Sequence, residues 1–131
     1  MIAFCTHCWT EIDASIDRCP HCGIDQGADP RSYEEKLVAA LAHPLPEARA
    51  RICWLIGENT IRTAVPCLMH MAEHDPDLFV QREAVKALGA LQDLRSDSLL
   101  STISGSTNRF LAIDAKRSLR RIHGRGSNND E

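Results

Sequence analysis

The residues best equipped for chemistry are four cysteines near the start of the chain. They form two pairs, Cys5-Thr6-His7-Cys8 and Cys19-Pro20-His21-Cys22, with ten residues between the pairs. A Cys-x-x-Cys turn aims two thiolates at one point, and two such turns this close supply the four ligands that Zn²⁺ prefers. A shell of four thiolates leaves no position open for water or substrate. The spacing therefore predicts one structural zinc ion that folds the segment and does no catalysis. His7 and His21 lie inside the turns and are alternative ligands, although a site filled by four sulfurs has no need of them. A disulfide framework is the other arrangement that six cysteines allow.

Elsewhere little reads as catalysis. The chain has no glycine-rich phosphate loop, no Gly-x-Ser-x-Gly and no paired carboxylates in an acid–base arrangement. No catalytic residue is assigned, and the chain is read as a non-enzyme. His70 and His74 stand four apart, a spacing that can chelate a metal, but without the His-Glu-x-x-His pattern a solvated helix face is the plainer account. Cys53 and Cys67 have no second cysteine nearby and read as small apolar fillers.

Composition bounds the elements that must position these residues. In 131 residues, aromatics make up only 5% while Ala and Leu are plentiful, which favours helices over a β-sandwich. The longest apolar runs fall far short of a membrane span. Met1-Ile2-Ala3-Phe4 shows no basic and then apolar leader, so a cytoplasmic protein with reduced thiols is expected. Net charge is −3 and unevenly spread. Residues 1–30 hold five acids against Arg18, and residues 109–125 hold six bases against Asp114. The head is acidic and the last helix basic.

Residues 1–26 should form a small ribbon, with Trp9 to Arg18 as a hairpin between the pairs. Gly23 suits the positive φ that follows such a turn. The pattern CxxC, ten residues, CxxCG resembles the short zinc ribbons. The departure is Trp9, where those ribbons usually carry Gly. So small a unit buries too little to fold alone, and zinc should supply most of its folding energy, on the order of 10 kcal/mol. Residues 27–31, Gly-Ala-Asp-Pro-Arg, read as a linker.

After the linker, Ser32-Tyr33-Glu34-Glu35 is a capping box that opens a helix. From there the chain repeats. Leu37, Leu68 and Leu99 are spaced by 31, as are Leu41, Ala72 and Ile103. Ala48, Val80 and Leu111 follow at 32 and 31, as do Ile56, Leu88 and Leu119. Such a period indicates a solenoid. Each repeat holds two helices, expected at 32–43 and 47–58, 61–73 and 76–91, and 96–104 and 107–123. Asp75-Pro76 reads as the cap of the fourth helix. The stretch Val80-Gln81-Arg82-Glu83-Ala84-Val85-Lys86-Ala87-Leu88-Gly89-Ala90-Leu91 resembles the second helix of HEAT-like repeats of the phycobilisome-lyase type. Ala64-Val65-Pro66-Cys67-Leu68 resembles a first helix. The resemblance covers residues 32–123 and implies an all-α, HEAT-like solenoid of three two-helix repeats, residues 32–124, behind the ribbon. Residues 125–131 are expected to be a disordered tail.

Trp54 breaks the repeat, because its equivalents are the charged Lys86 and Arg117. A large apolar side chain at a charge position is either a partner anchor or covered by another part of the chain, and the ribbon is the expected cover. In the last helix, Lys116 and Arg120 share one face and Arg117 and Arg121 the next. Arg120 stands where Gly57 and Gly89 stand earlier. These cations fit the polar outer face of a terminal repeat, with an acidic partner as the functional alternative. Trp54, Lys86, Lys116, Arg117, Arg120 and Arg121 are thus the candidate partner-binding residues. The function expected is a monomeric adaptor for another protein. A lyase-like or chaperone-like subunit is the alternative that the repeat resemblance implies. A nucleic-acid accessory role is the other alternative, and an acidic ribbon argues against it.

Overall fold

The 31-residue period emerges as three helical hairpins. A computed structural model describes residues 1–27 and 29–124, so the expected disordered tail lies outside the described residues. Two strands, β1 (Ile2–Phe4) and β2 (Glu11–Asp13), precede α1 (Tyr33–Ala40), α2 (Pro46–Glu58), α3 (Val65–His74), α4 (Leu78–Leu91), α5 (Asp97–Ile103) and α6 (Arg109–His123). The second helices α2, α4 and α6 stack side by side, and α1, α3 and α5 each back onto their own partner.

Local chemistry sets most helix starts. Ser32 caps α1 in a full capping box, accepting from the Glu35 N–H at 3.1 Å while the Glu35 carboxylate accepts from the Ser32 N–H at 2.8 Å. Pro46 and Pro66 sit in the first turns of α2 and α3, where a missing N–H is harmless. Short 3₁₀ turns, Arg62–Ala64 and Leu94–Ser96, lead into α3 and α5, which therefore begin later than the periodicity suggests. The expected cap at Asp75-Pro76 is shifted. The Asp75 carboxylate is taken by the Arg49 guanidinium at 2.9 and 3.1 Å and by the Asp77 N–H at 2.9 Å. Asp77 caps α4 instead, accepting from the Val80 N–H at 3.1 Å.

The expected hairpin between the cysteine pairs is also replaced. Each knuckle is itself the turn of a hairpin. β1 and β2 pair antiparallel around the first, with Ala3 opposite Ile12, and Arg18 bridges to Asp25 around the second. The reason lies in the knuckle backbone. The Cys5 N–H donates to the Thr10 carbonyl and the Cys19 N–H to the Ile24 carbonyl, both at 2.9 Å, which zips each loop onto its own flanks.

The helical core is continuous. Ile56, Leu68, Leu88, Leu91 and Leu100 have no exposed surface. The second helices approach closely because of glycine. A Cβ on Gly89 would lie 2.8 Å from the Ser118 Cα and 2.4 Å from its Oγ, and one on Gly57 would lie 3.3 Å from the Ala90 Cβ. Arg120 holds the same place in α6, against which no further helix packs among the described residues, so a long cation fits. Lys116 obeys the same rule, since its equivalents Cys53 and Val85 are buried.

Candidate metal centre and repeat surface

The ribbon is built from two near-copies of one turn. In the first, the Trp9 N–H donates to the Cys5 carbonyl at 3.0 Å, and in the second the Gly23 N–H donates to the Cys19 carbonyl at 2.9 Å. Gly23 has φ +82 and Trp9 has φ +63, so Trp9 adopts the left-handed backbone that the knuckle demands of either residue. That costs a non-glycine residue roughly 1–2 kcal/mol. Trp9 makes a compensating contact, because its ring lies 5.0 Å from that of His43.

The two turns bring Cys5, Cys8, Cys19 and Cys22 together, with the four sulfurs all within 4.8 Å of one another. Cys5 Sγ lies 3.6 Å from Cys22 Sγ, and Cys8 Sγ lies 3.8 Å from Cys19 Sγ. All four are free thiols here, and both of these separations are well beyond a disulfide bond. A tetrahedron with metal–sulfur bonds of about 2.3 Å has edges of about 3.8 Å. The cluster therefore has the size and donor set to hold one metal ion. The N–H groups of His7 and Cys8 point at Cys5 Sγ, at 3.4 and 3.5 Å, and those of His21 and Cys22 point at Cys19 Sγ, at 3.3 and 3.4 Å. Both histidine side chains stay outside the cluster on the exposed surface.

Electrostatics tell the same story. Burial raises the Cys5 thiol, but N–H donors from Cys8, His7 and Gln26 outweigh it together and hold the group at about 6. Cys22 is pushed up to about 12. The N–H of Ile24 favours its thiolate, but burial and three neighbouring sulfurs overcome it. The cluster thus gives up its first protons readily and its last reluctantly. Four negative charges in so small a space call for a cation. Gln26 escaped the sequence reading. It donates to Cys5 Sγ at 3.3 Å and accepts from the Thr6 N–H at 3.1 Å, and no local pattern marks such a role.

The ribbon docks on the turn between α1 and α2. Phe4 and Trp9 clasp the His43 ring, with centroids at 4.9 and 5.0 Å. Arg31, paired with Asp29 at 2.6 Å, donates to the Thr6 carbonyl at 2.9 Å. Trp54 is not covered, which corrects the expected ribbon cover. It remains 52% exposed and faces α4, not the ribbon. The tryptophan at the joint is a different one, Trp9, and His43 is the residue that it meets.

Around Trp54 the face of the stacked second helices holds two adjoining clefts. One, of about 250 Å³, is lined by Glu47, Arg51, Trp54, Phe79 and Glu83. The other, of about 240 Å³, runs from Trp54 past Lys86 to Arg121. Trp54, Lys86 and Arg121 are thus brought together, and Arg117 occupies the equivalent place on α6. At about 100° per residue, Lys116 and Arg120 point away from the clefts, toward the side of α6 opposite α4. Among the described residues, none of Lys116, Arg117, Arg120 and Arg121 has an acidic partner within ion-pair distance. The sequence reading missed Phe79 and Phe110, 56% and 52% exposed at equivalent places on α4 and α6. Their 31-residue spacing was a usable signal. Cys53 is the filler expected. Burial first, then the carboxylates of Glu83 and Asp75, pushes its thiol up to about 12. Cys67 is exposed, so the filler reading fails there. Among the described residues no helix is long and apolar enough to cross a membrane.

A family model described as HEAT repeats matches residues 34–120. No curated protein and no solved structure matches the chain.

Proposed function

The chain belongs to the HEAT-repeat family, and from that premise we propose that it is a non-catalytic adaptor that holds a protein partner on the stacked second helices. The observation that carries this reading is Trp54, which keeps 52% of its surface exposed between two clefts. Trp54 shares its cleft with the exposed Phe79, contiguous apolar patches on a surface mark interaction sites, and tryptophan is enriched among interface hot spots. The four-cysteine cluster is assigned one structural zinc ion, held by Cys5, Cys8, Cys19 and Cys22. Its tetrahedral dimensions, all-sulfur donor set and closed shell support that choice. The ribbon, residues 1–26, caps the open start of the solenoid, residues 32–124, through a linker at 27–31. Free thiols suit a reducing, cytoplasmic setting. The test is affinity capture from the native host with the full chain and with Trp54→Ala. A partner retained by the parent and lost by the variant is expected. Captures that are identical for the two proteins would refute the assignment of this face.

A further inference from the structure

The second-helix face is not uniform, and its gradient describes a partner. On the α2 side, Glu47 and Glu58 are exposed acids, with Arg51 the exposed cation between them. In the middle, Trp54 and Phe79 are exposed apolar groups beside Glu83, which already holds Lys86 at 3.2 Å. On the α6 side, Arg117 and Arg121 are exposed cations without an acidic partner among the described residues. Phe110 adds apolar surface there, with the Arg82 guanidinium 5.0 Å from its ring centre.

We infer that this face binds a protein segment carrying an aliphatic or aromatic anchor flanked on one side by carboxylates. The anchor fills the cleft between Trp54 and Phe79, and the carboxylates meet Arg117 and Arg121. The inference rests on the adaptor reading and adds the chemistry of what is held. Neighbouring helices lie about 8–10 Å apart, so the anchor and the acids are separated by roughly 10–20 Å. An extended segment covers that span in about three to six residues. Charge complementarity selects a peptide over a nucleic acid. A phosphate backbone crossing the stack would leave Arg117 and Arg121 and run onto Glu83, Glu58 and Glu47, whereas a peptide can be acidic at one end only. Lys116 and Arg120 are excluded from the site, because neither lines either cleft.

The test is selection of random twelve-residue peptides on the zinc-loaded full chain, with affinities of the enriched peptides then measured by fluorescence anisotropy. Enriched peptides should pair an apolar residue with two or more acids three to six positions away. Trp54→Ala should weaken them by about thirty-fold. Arg117→Glu combined with Arg121→Glu should weaken them at least tenfold and redirect selection toward basic peptides. Lys116→Glu combined with Arg120→Glu should leave affinity within about twofold. Thermal melts by circular dichroism check that the variants fold, since every altered side chain is exposed. Three results overturn the inference: no enrichment, enriched peptides without acids, or tighter binding of mixed-sequence DNA or RNA than of any selected peptide. Self-association in sedimentation that the Arg117/Arg121 variant abolishes would make a second copy the occupant and overturn it too. A host partner that depends on Trp54 but ignores Arg117 and Arg121 would refute the charge assignment and leave the adaptor reading standing.

Discussion

Cys19 and Asp114 show how differently two buried polar side chains can matter. Cys19 is 1% exposed and its sulfur receives two N–H groups, so any change there strikes the centre of the cluster. Cys19→Ser should lose the metal and unravel the ribbon while far-UV circular dichroism keeps its helical signal. The helical core takes none of its buried residues from the ribbon. Metal analysis paired with the spectrum checks this, and a collapse of helicity would mean that the solenoid leans on the ribbon. Asp114 is 2% exposed and binds Arg82 on the neighbouring helix at 2.7 Å. Asp114→Ala should cost about 2–3 kcal/mol in chemical denaturation. That is below the ~3–5 kcal/mol of a fully buried pair, because the Arg82 side chain keeps 29% of its surface in water. In the sequence Asp114 stands as a lone acid among bases. Its partner lies 32 residues away on another helix, so no local pattern reveals the pair.

At the scale of elements, the packing of second helices decides stability. Leu88 has no exposed surface, and Leu88→Ala should cost roughly 2–5 kcal/mol. Gly89→Ala offers a sharper test. In an open helix the change would gain about 1 kcal/mol. Here the new Cβ would lie 2.8 Å from backbone on α6, and overpacking of about 1–3 kcal/mol outweighs the gain. A lowered melting temperature is expected for Gly89→Ala and almost none for Gly105→Ala, whose Cβ would find its nearest neighbour at 3.6 Å. An unchanged melt at Gly89 would mean that α4 and α6 do not touch there. These elements were largely legible in the sequence, for a physical reason. A period of 31 repeats the same burial demand, so Leu41, Ala72 and Ile103 announce one another. Even the exceptions carried meaning, since Lys116 and Arg120 lie on the side of α6 that no further helix covers among the described residues. What stayed hidden was tertiary competition. Asp75 looked like a cap until Arg49 claimed it, and the ribbon strands paired across each knuckle because backbone bonds inside the knuckle favour it.

For the whole molecule the open question is how firmly the head is joined to the stack, and His43 is the place to measure it. Its ring is clasped by Phe4 and Trp9, and its Nδ1 accepts the Leu45 N–H at 3.0 Å. Burial, and then the nearby Arg49 guanidinium, lowers its pKa below the ordinary value of 6.5, while Glu47 opposes them weakly. The docked state therefore favours neutral imidazole. Wherever the undocked or unfolded chain binds the proton more readily, stability rises with pH. The contribution of His43 to docking is thus full above 6.5 and declines as the pH falls through that value and below it. Protonation also removes the acceptor that Leu45 uses. In a Trp54→Phe background, Trp9 is the only tryptophan left, so its emission reports the joint. The emission should shift to the red between pH 7 and pH 5 in the metal-loaded protein, and His43→Phe should flatten that response. Chelator at neutral pH should produce the same shift by a different route. Trp9 follows a cysteine of the cluster and holds its left-handed backbone through the knuckle, so losing the metal frees the side chain from His43. Trp54, studied alone in a Trp9→Phe background, should respond to neither treatment, because it stands among α2, α4 and α6. A response at Trp54 that matches the one at Trp9 would mean that the ribbon controls the whole stack and not only its first turn.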